Sequence, residues 1–179
     1  MRRLLAVLLL LPFLALAQTA APKKAATKAK PAGPAAVVVT PDKIQWGPAP
    51  PIFQPGAQFA VIAGDPGKTG PFIVRLKVPD GYRIMPHFHP TTENVTVLSG
   101  EFRVGMGDKF DESTLVSLPA HSVASVPAGH RHYAMAKGET EVQVNAMGPF
   151  KLTYVNPADD PSKGQASPAP KKKAAAAKK

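Results

Sequence analysis

The sequence of 179 residues contains no cysteine. This absence excludes disulfide bonds, thiolate metal ligands and cysteine nucleophiles, so the folded part has to be held together by its apolar core alone. Aromatic residues make up only 7% of the chain. The sequence also lacks a serine–histidine–acid order, a phosphate-binding glycine loop and a dinucleotide-binding fingerprint. The sequence therefore offers none of these three arrangements for catalysis or cofactor binding.

No apolar stretch reaches the roughly 20 residues that a membrane-spanning helix needs. The longest run covers residues 4–16, follows the basic pair Arg2 and Arg3, and is interrupted by Pro12. It ends in the small-x-small pattern of residues 15–17, which signal peptidase recognises. We therefore predict that residues 1–17 are a signal peptide cleaved after Ala17, and that the mature protein is periplasmic or secreted.

The net charge of +10 is confined to the two ends of the chain. Residues 37–155 contain ten Lys and Arg and ten Asp and Glu, whereas residues 1–36 contribute +6 and residues 156–179 contribute +4. Residues 18–36 and 156–179 are rich in Ala, Lys and Pro, and we predict that both are disordered. Their lysines either form solvated spacers or make weak contact with anionic envelope surfaces, and no nucleic-acid partner is expected.

The segment between these ends is predicted to form one domain, residues 37–155, made of short β-strands. Apolar residues alternate along residues 72–78, and Gly and Pro separate this run from similar runs at 59–63, 94–98, 101–106, 114–118, 123–126, 133–136, 141–146 and 150–155. The Ser99-Gly100 and Lys137–Glu139 segments are interpreted as turns between strands. No amphipathic helix interrupts the pattern, so the fold class is all-β, a sandwich or a barrel.

All five histidines lie between residues 87 and 132. His87 and His89 are one residue apart, so an extended backbone sends both imidazoles to the same face, and Glu93 follows closely enough to add a carboxylate oxygen. His130 and His132 supply further imidazole. This donor set suits one divalent transition metal ion, with iron, manganese, zinc, nickel and copper all left open.

At these residues the chain resembles the cupin superfamily. The first cupin motif, G-x5-H-x-H-x3,4-E-x6-G, is matched throughout from Gly81 to Gly100. The second, G-x5-P-x-G-x2-H-x3-N, is matched at Pro127, Gly129 and His132, but His121 and Ala136 replace its first and last residues. The resemblance implies a single cupin-type double-stranded β-helix, or jelly-roll barrel.

The same resemblance implies the ligand set His87, His89, Glu93 and His132. The carboxylate is the ligand that some relatives lose, which would leave a three-histidine site. His130 shares the face of His132 by alternation and is placed at the mouth or behind the ligands. Arg83 and Tyr133 are the other candidate catalytic residues, because they could orient a small polar ligand. His121 is interpreted as a surface turn residue.

Two functions remain open at this point. The first is an exported metal-dependent enzyme acting on a small polar molecule, of the oxygenase, isomerase or decarboxylase type. The second is a non-catalytic module that binds or senses a metal or metabolite in the cell envelope. A metal-free structural barrel is a third reading. The resemblance also implies a homodimer, through the β-sheets.

Overall fold

A computed structural model describes residues 35–164. Within this range the regular structure is almost entirely extended, as predicted, and four single 3-10 turns are the helical elements. The strands are β1 (Gly47–Pro48), β2 (Gln58–Ala63), β3 (Gly70–Val78), β4 (Arg83–Phe88), β5 (Glu93–Met106), β6 (Val116–Pro119), β7 (Val123–Val126), β8 (His132–Gly148) and β9 (Thr153–Tyr154). The 3-10 turns lie at Pro41–Lys43, Glu112–Thr114, Pro157–Asp159 and Pro161–Lys163.

Two long strands, β5 and β8, pair antiparallel with each other and organise the barrel. The first part of β5 pairs with the last part of β8 and, on its other side, with β7. The last part of β8 pairs in turn with β3, which is followed in the sheet by β2 and β1. The last part of β5 pairs with the first part of β8 and, on its other side, with β6. The first part of β8 pairs in turn with β4, which is followed in the sheet by β9. The sheet therefore curls into two layers that face each other, which is the arrangement of a jelly roll.

The two segments interpreted as turns in the sequence are bends within continuous strands. Gly100 lies inside β5 and Gly138 inside β8, both with positive φ, at 76° and 74°. The pairing register of β5 with β8 shifts on both sides of Ser99, as in a β-bulge. Glycine ends strands and also bends them, so its position alone did not distinguish a hairpin from a bulge.

Alternation along the strands fills the interior with apolar side chains. On β3 the residues Phe72, Val74, Leu76 and Val78 are buried, as the sequence pattern predicts. They join other buried residues of the barrel, namely Tyr82, Ile84, Val95, Val97, Phe102, Val104, Ala134, Ala136, Val142 and Val144. The predicted strands at 59–63, 72–78 and 123–126 are confirmed almost to the residue. The last predicted strand, 150–155, is reduced to the two residues of β9.

The turn residue His121 has a φ of 73° and is the single non-glycine residue of the described chain with positive φ. It is exposed, and its backbone N–H donates to the carbonyl of Val97 at 2.8 Å. Glycine adopts this conformation without steric cost, which explains why a glycine is usual at the corresponding place in the cupin motif. Its interpretation as a surface turn residue is thus confirmed.

The predicted signal peptide and nearly all of residues 18–36 lie outside the described residues, as do residues 165–179. The beginning of the predicted C-terminal tail is described and differs from expectation. Asn156 and Asp160 accept hydrogen bonds from the backbone N–H groups of Ala158 and Ser162, at 3.1 and 3.0 Å, and so cap two 3-10 turns. In residues 35–164 no helix has the length and apolar character to cross a membrane.

Candidate metal centre

Three strands deliver the predicted ligands to one end of the barrel. His87 lies near the end of β4, Glu93 is the first residue of β5, and His132 is the first residue of β8. His87 and His132 are paired neighbours across β4 and β8, with ring centroids 4.1 Å apart. His89 follows β4 directly. We call His87, His89, Glu93 and His132 the His–Glu cluster, and all four are buried.

Each imidazole of the cluster is oriented by a backbone carbonyl. The Nδ1 atoms of His87, His89 and His132 lie 2.8, 3.0 and 3.0 Å from the carbonyl oxygens of Met85, Lys151 and His130, respectively. A carbonyl only accepts hydrogen bonds, so each Nδ1 carries the proton and donates it. This leaves Nε2 as the nitrogen of each ring that can bind a metal.

The ring nitrogens of His87, His89 and His132 converge on one place. One ring nitrogen from each of the three histidines lies within 4.8 Å of the other two. Glu93 Oε2 lies 3.3 Å from His132 Nε2 and 3.6 Å from His89 Nε2. Two ligands that bind one ion at about 2.1 Å would be about 3.0 Å apart at right angles and about 3.4 Å apart in a tetrahedral site. The distances therefore fit a shared ion after small side-chain rotations.

The buried Nε2 of His89 has no hydrogen-bond partner in the described chain. It faces a carboxylate oxygen, and two lone pairs directed at each other repel unless a cation lies between them. The three histidines thus have the chemistry and the convergence that a divalent metal requires, and the Glu93 carboxylate lies beside two of them. The identity of the metal stays open, because this donor set suits several ions.

Burial keeps two of these histidines neutral. The barrel interior, with a smaller contribution from the charges of His132 and His89, holds the pKa of His87 well below its usual value of 6.5. Burial also lowers the pKa of His89, although Glu93 and the Lys151 carbonyl oppose it. Neutral imidazole is the form that coordinates a metal, so burial prepares the site for binding at neutral pH.

These shifts predict how the stability of the metal-free protein depends on pH. The unfolded chain protonates these histidines at about pH 6.5, whereas the folded chain resists protonation until lower pH. The unfolded state therefore binds more protons below that pH, and the free energy of unfolding falls as the pH drops from about 7 towards 5. Urea titrations of chelator-treated protein at several pH values measure the slope of the free energy of unfolding against pH. His87→Gln should flatten it and the exposed-turn variant His121→Asn should not; an unchanged slope in His87→Gln contradicts the prediction.

A cavity of about 270 Å³ extends from the cluster into the barrel. Its walls come from both layers and include Phe72, Val74, Leu76, Ile84, Val95, Phe102, Val104, Ala124, Val126, Ala134, Val142 and Val144. Residues of the irregular segments complete it, namely Pro50, Ile52, Phe53, Pro66, Gly67, Phe150 and Leu152, together with Phe59 of β2. The His–Glu cluster supplies every polar side chain among the residues that line the cavity.

Arg83 and Tyr133, the two candidate catalytic residues outside the histidines, do not line this cavity. The Arg83 guanidinium pairs with Glu112 and lies 5.0 Å from the centre of the Phe110 ring. The Tyr133 hydroxyl lies 2.5 Å from Thr114 Oγ1. Both side chains hold the loop between β5 and β6 against the outside of the barrel. Their predicted role in orienting a ligand inside the cavity is corrected accordingly.

The structure corrects the strand alternation that was expected for His130. It precedes β8 and its side chain is exposed, so it does not share a strand face with His132. Its backbone carbonyl nevertheless accepts the hydrogen bond from His132 Nδ1. The nearby Gly129 N–H donates to the carbonyl of His89 at 2.8 Å and thereby ties the two motifs together. His130 therefore supports the cluster through its backbone alone.

Two neighbours of the cluster were missed by the sequence reasoning. The Phe150 ring stacks on His89, with centroids 4.3 Å apart and planes inclined by 18°, and the Lys151 carbonyl orients the same imidazole. Both lie more than sixty residues from His89 in the sequence, and a backbone carbonyl leaves no signature in a motif. The sequence gives only a weak indication that Phe150 packs inside the barrel, because it is an apolar residue just before β9.

The model of the ChrR cupin-like domain family matches residues 34–150, which is well over half of the chain. The chain belongs to this cupin family. The solved structures agree with this assignment at the level of the fold. The curated proteins give no match.

Two solved cupin neighbours share the architecture with TM-scores above 0.5. The polyketide cyclase RemF from Streptomyces resistomycificus has a TM-score of 0.59 and 15% identity, and the alignment covers 70% of this chain and 89% of that one. An acetylacetone dioxygenase from Acinetobacter johnsonii has a TM-score of 0.54 and 17% identity, with 69% and 80% covered. At these identities the likeness shows the fold alone, so the activity has to be argued from the site of this cupin.

Proposed function

We propose that this cupin is an exported, metal-dependent enzyme that acts on a small molecule inside the barrel. The observation that carries the proposal is the convergence of three buried histidines, with Glu93 beside them, at the end of a cavity in the barrel. A structural metal site is closed by four protein ligands and has no adjoining space. Here the cavity adjoins the cluster, so a small molecule can reach the same point as the ligand atoms.

Each part of the site has a separate task in this proposal. His87, His89 and His132 hold the ion through Nε2, and Glu93 adds a carboxylate oxygen or, in the three-histidine alternative, stays outside the coordination sphere. The ion would supply Lewis-acid or redox chemistry. The apolar walls exclude water, which strengthens electrostatic interactions at the reacting atoms. A general acid or base has to come from the cluster, because no other titratable side chain of the described residues lines the cavity.

The reaction type depends on which metal is bound, so the first experiment identifies the metal. The mature protein is purified from its own envelope without a polyhistidine tag or chelator and is analysed for metals. About one equivalent of iron or manganese would support an oxygen-using or other redox enzyme, and oxygen consumption is then screened with small organic compounds. About one equivalent of zinc or nickel would support isomerisation or hydrolysis. A protein without metal, which also takes up none on titration, would overturn the proposal.

The same preparation tests export and distinguishes catalysis from binding. N-terminal sequencing is expected to begin at Gln18, and an uncleaved N-terminus would contradict the proposed export. In the alternative function, a binding or sensing module, a small molecule would raise the melting temperature but would be recovered unchanged. Product formation that depends on the metal decides for the enzyme.

A further inference from the structure

We propose that the substrate is a mainly apolar, uncharged molecule with a single polar end that reaches the His–Glu cluster, such as an aromatic ring carrying a metal-binding oxygen group. This inference rests on the proposed function and replaces the polar substrate expected from the sequence. It is carried by the lining of the cavity, in which the polar side chains are confined to one end.

The separation of polar and apolar surface follows from strand geometry. Side chains two residues apart lie on the same face of a strand, about 7 Å from each other. The cavity wall beyond Glu93 on β5 is therefore Val95, and beyond His132 on β8 it is Ala134. Both residues are buried. A molecule held at the cluster thus places the rest of its body against hydrocarbon.

The charge of the lining excludes several substrate classes. No Lys or Arg side chain lines the cavity, so a carboxylate or phosphate distant from the cluster would lose its hydration without gaining a partner. No Ser, Thr, Asn or Gln lines it either, so the hydroxyl groups of a sugar would be left without hydrogen bonds. Arg83, which was a candidate for orienting a small polar ligand, is already paired with Glu112 outside the barrel.

The volume limits the size of the substrate. A cavity of about 150 Å³ holds one benzene molecule, and the cavity here measures about 270 Å³. It can therefore accept one ring with a short side chain, or two fused rings. Phe150 and Phe72, whose rings meet edge to face at 5.2 Å, offer aromatic contact on this lining.

Three hydroxamates with the same metal-binding group test the inference on the full-length protein loaded with zinc. Calorimetry should give a dissociation constant for benzohydroxamate at least about 10-fold lower than for acetohydroxamate, because the phenyl ring is buried. 4-Carboxybenzohydroxamate should bind at least about 10-fold more weakly than benzohydroxamate, because its carboxylate enters the apolar part. Equal binding of all three, or preference for the carboxylate, overturns the inference.

A pair of variants on β7 locates the binding. Ala124 lines the cavity and pairs with Val95, whereas its neighbour Val123 is 64% exposed on the other face. Ala124→Leu should fill part of the cavity and weaken benzohydroxamate about 10-fold or more, with zinc uptake intact. Val123→Leu should change neither property. Equal effects of the two variants would contradict binding in this cavity.

The failure of the inference can be told apart from the failure of the proposed function. A protein that takes up no zinc overturns both. If the protein binds zinc but its metal-dependent turnover is confined to charged or sugar-like substrates, the proposed function stands and only the inference is overturned.

Discussion

Replacing His132 by alanine should abolish stoichiometric metal uptake, lowering affinity at least about 100-fold. Loss of an orienting group behind a ligand already costs 10- to 100-fold, and His132 is itself positioned as a ligand, with Nε2 3.3 Å from Glu93 Oε2. Its removal also leaves the remaining imidazoles and the carboxylate around an incomplete site. Competition with a fluorescent chelator measures the affinity. Full metal occupancy in the His132→Ala variant would refute the assignment of this ligand.

The matched control for this variant is His130→Ala. His130 lies two residues away and is exposed, and it contributes its backbone carbonyl to His132 Nδ1, which alanine also provides. Metal affinity in this variant should stay within about 3-fold of the wild type, which is less than the loss of an orienting group costs.

Glu93→Gln distinguishes a site of three histidine ligands from a site in which Glu93 is the fourth ligand. Retained uptake would support three histidine ligands, and loss of uptake would support the carboxylate as a fourth.

The proximity of the four cluster residues could be predicted because it depends on local rules and on a motif. Strand alternation places His87 and His89 together, and the spacing to Glu93 spans one turn between β4 and β5. The meeting of His132 with His87 required the resemblance, because β4 and β8 are far apart in the sequence and pair through the tertiary fold. The orienting carbonyl of Lys151 could not be predicted, since a backbone group has no sequence signature.

Arg83 and Tyr133 lie outside the cavity for different physical reasons. Tyr133 directly follows His132 in β8, so alternation alone sends its side chain to the opposite face. Arg83 precedes His87 by four residues and would share its face in a regular strand. The pairing of β4 with β8 shifts between Ile84 and His87, and this irregularity turns Ile84 into the cavity and Arg83 to the outside. Such a bulge could not be located from the sequence.

The apolar cavity is the feature with the greatest consequence for function that the sequence did not reveal. Alternation correctly predicted that residues such as Phe72 and Val74 face inward. It does not predict whether their volumes fill the space between the two layers, since that depends on every side chain at once. The expected polar substrate came from Arg83 and Tyr133, which the bulge and the alternation remove from the interior.

Replacing Gly100 by alanine should cost at least about 3 kcal/mol of folding free energy. Gly100 bends β5 with a φ of 76°, and a Cβ atom there would lie 2.4 Å from the carbonyl oxygen of Glu139 and 2.8 Å from Cα of Thr140. These are backbone atoms of the paired strand β8, so they cannot move aside without breaking the pairing that joins the two long strands.

Gly138→Ala is the control that isolates this contact from backbone strain. Gly138 bends β8 with a φ of 74°, but a Cβ atom there would have nothing within 4 Å. Its replacement should therefore cost only the strain of the left-handed conformation, about 1–2 kcal/mol. Urea denaturation of both variants, each loaded with the same metal, measures the difference. If the two variants are equally stable, the bend of β5 does not depend on its close approach to β8, and the glycine at the end of the first motif is required for its φ alone.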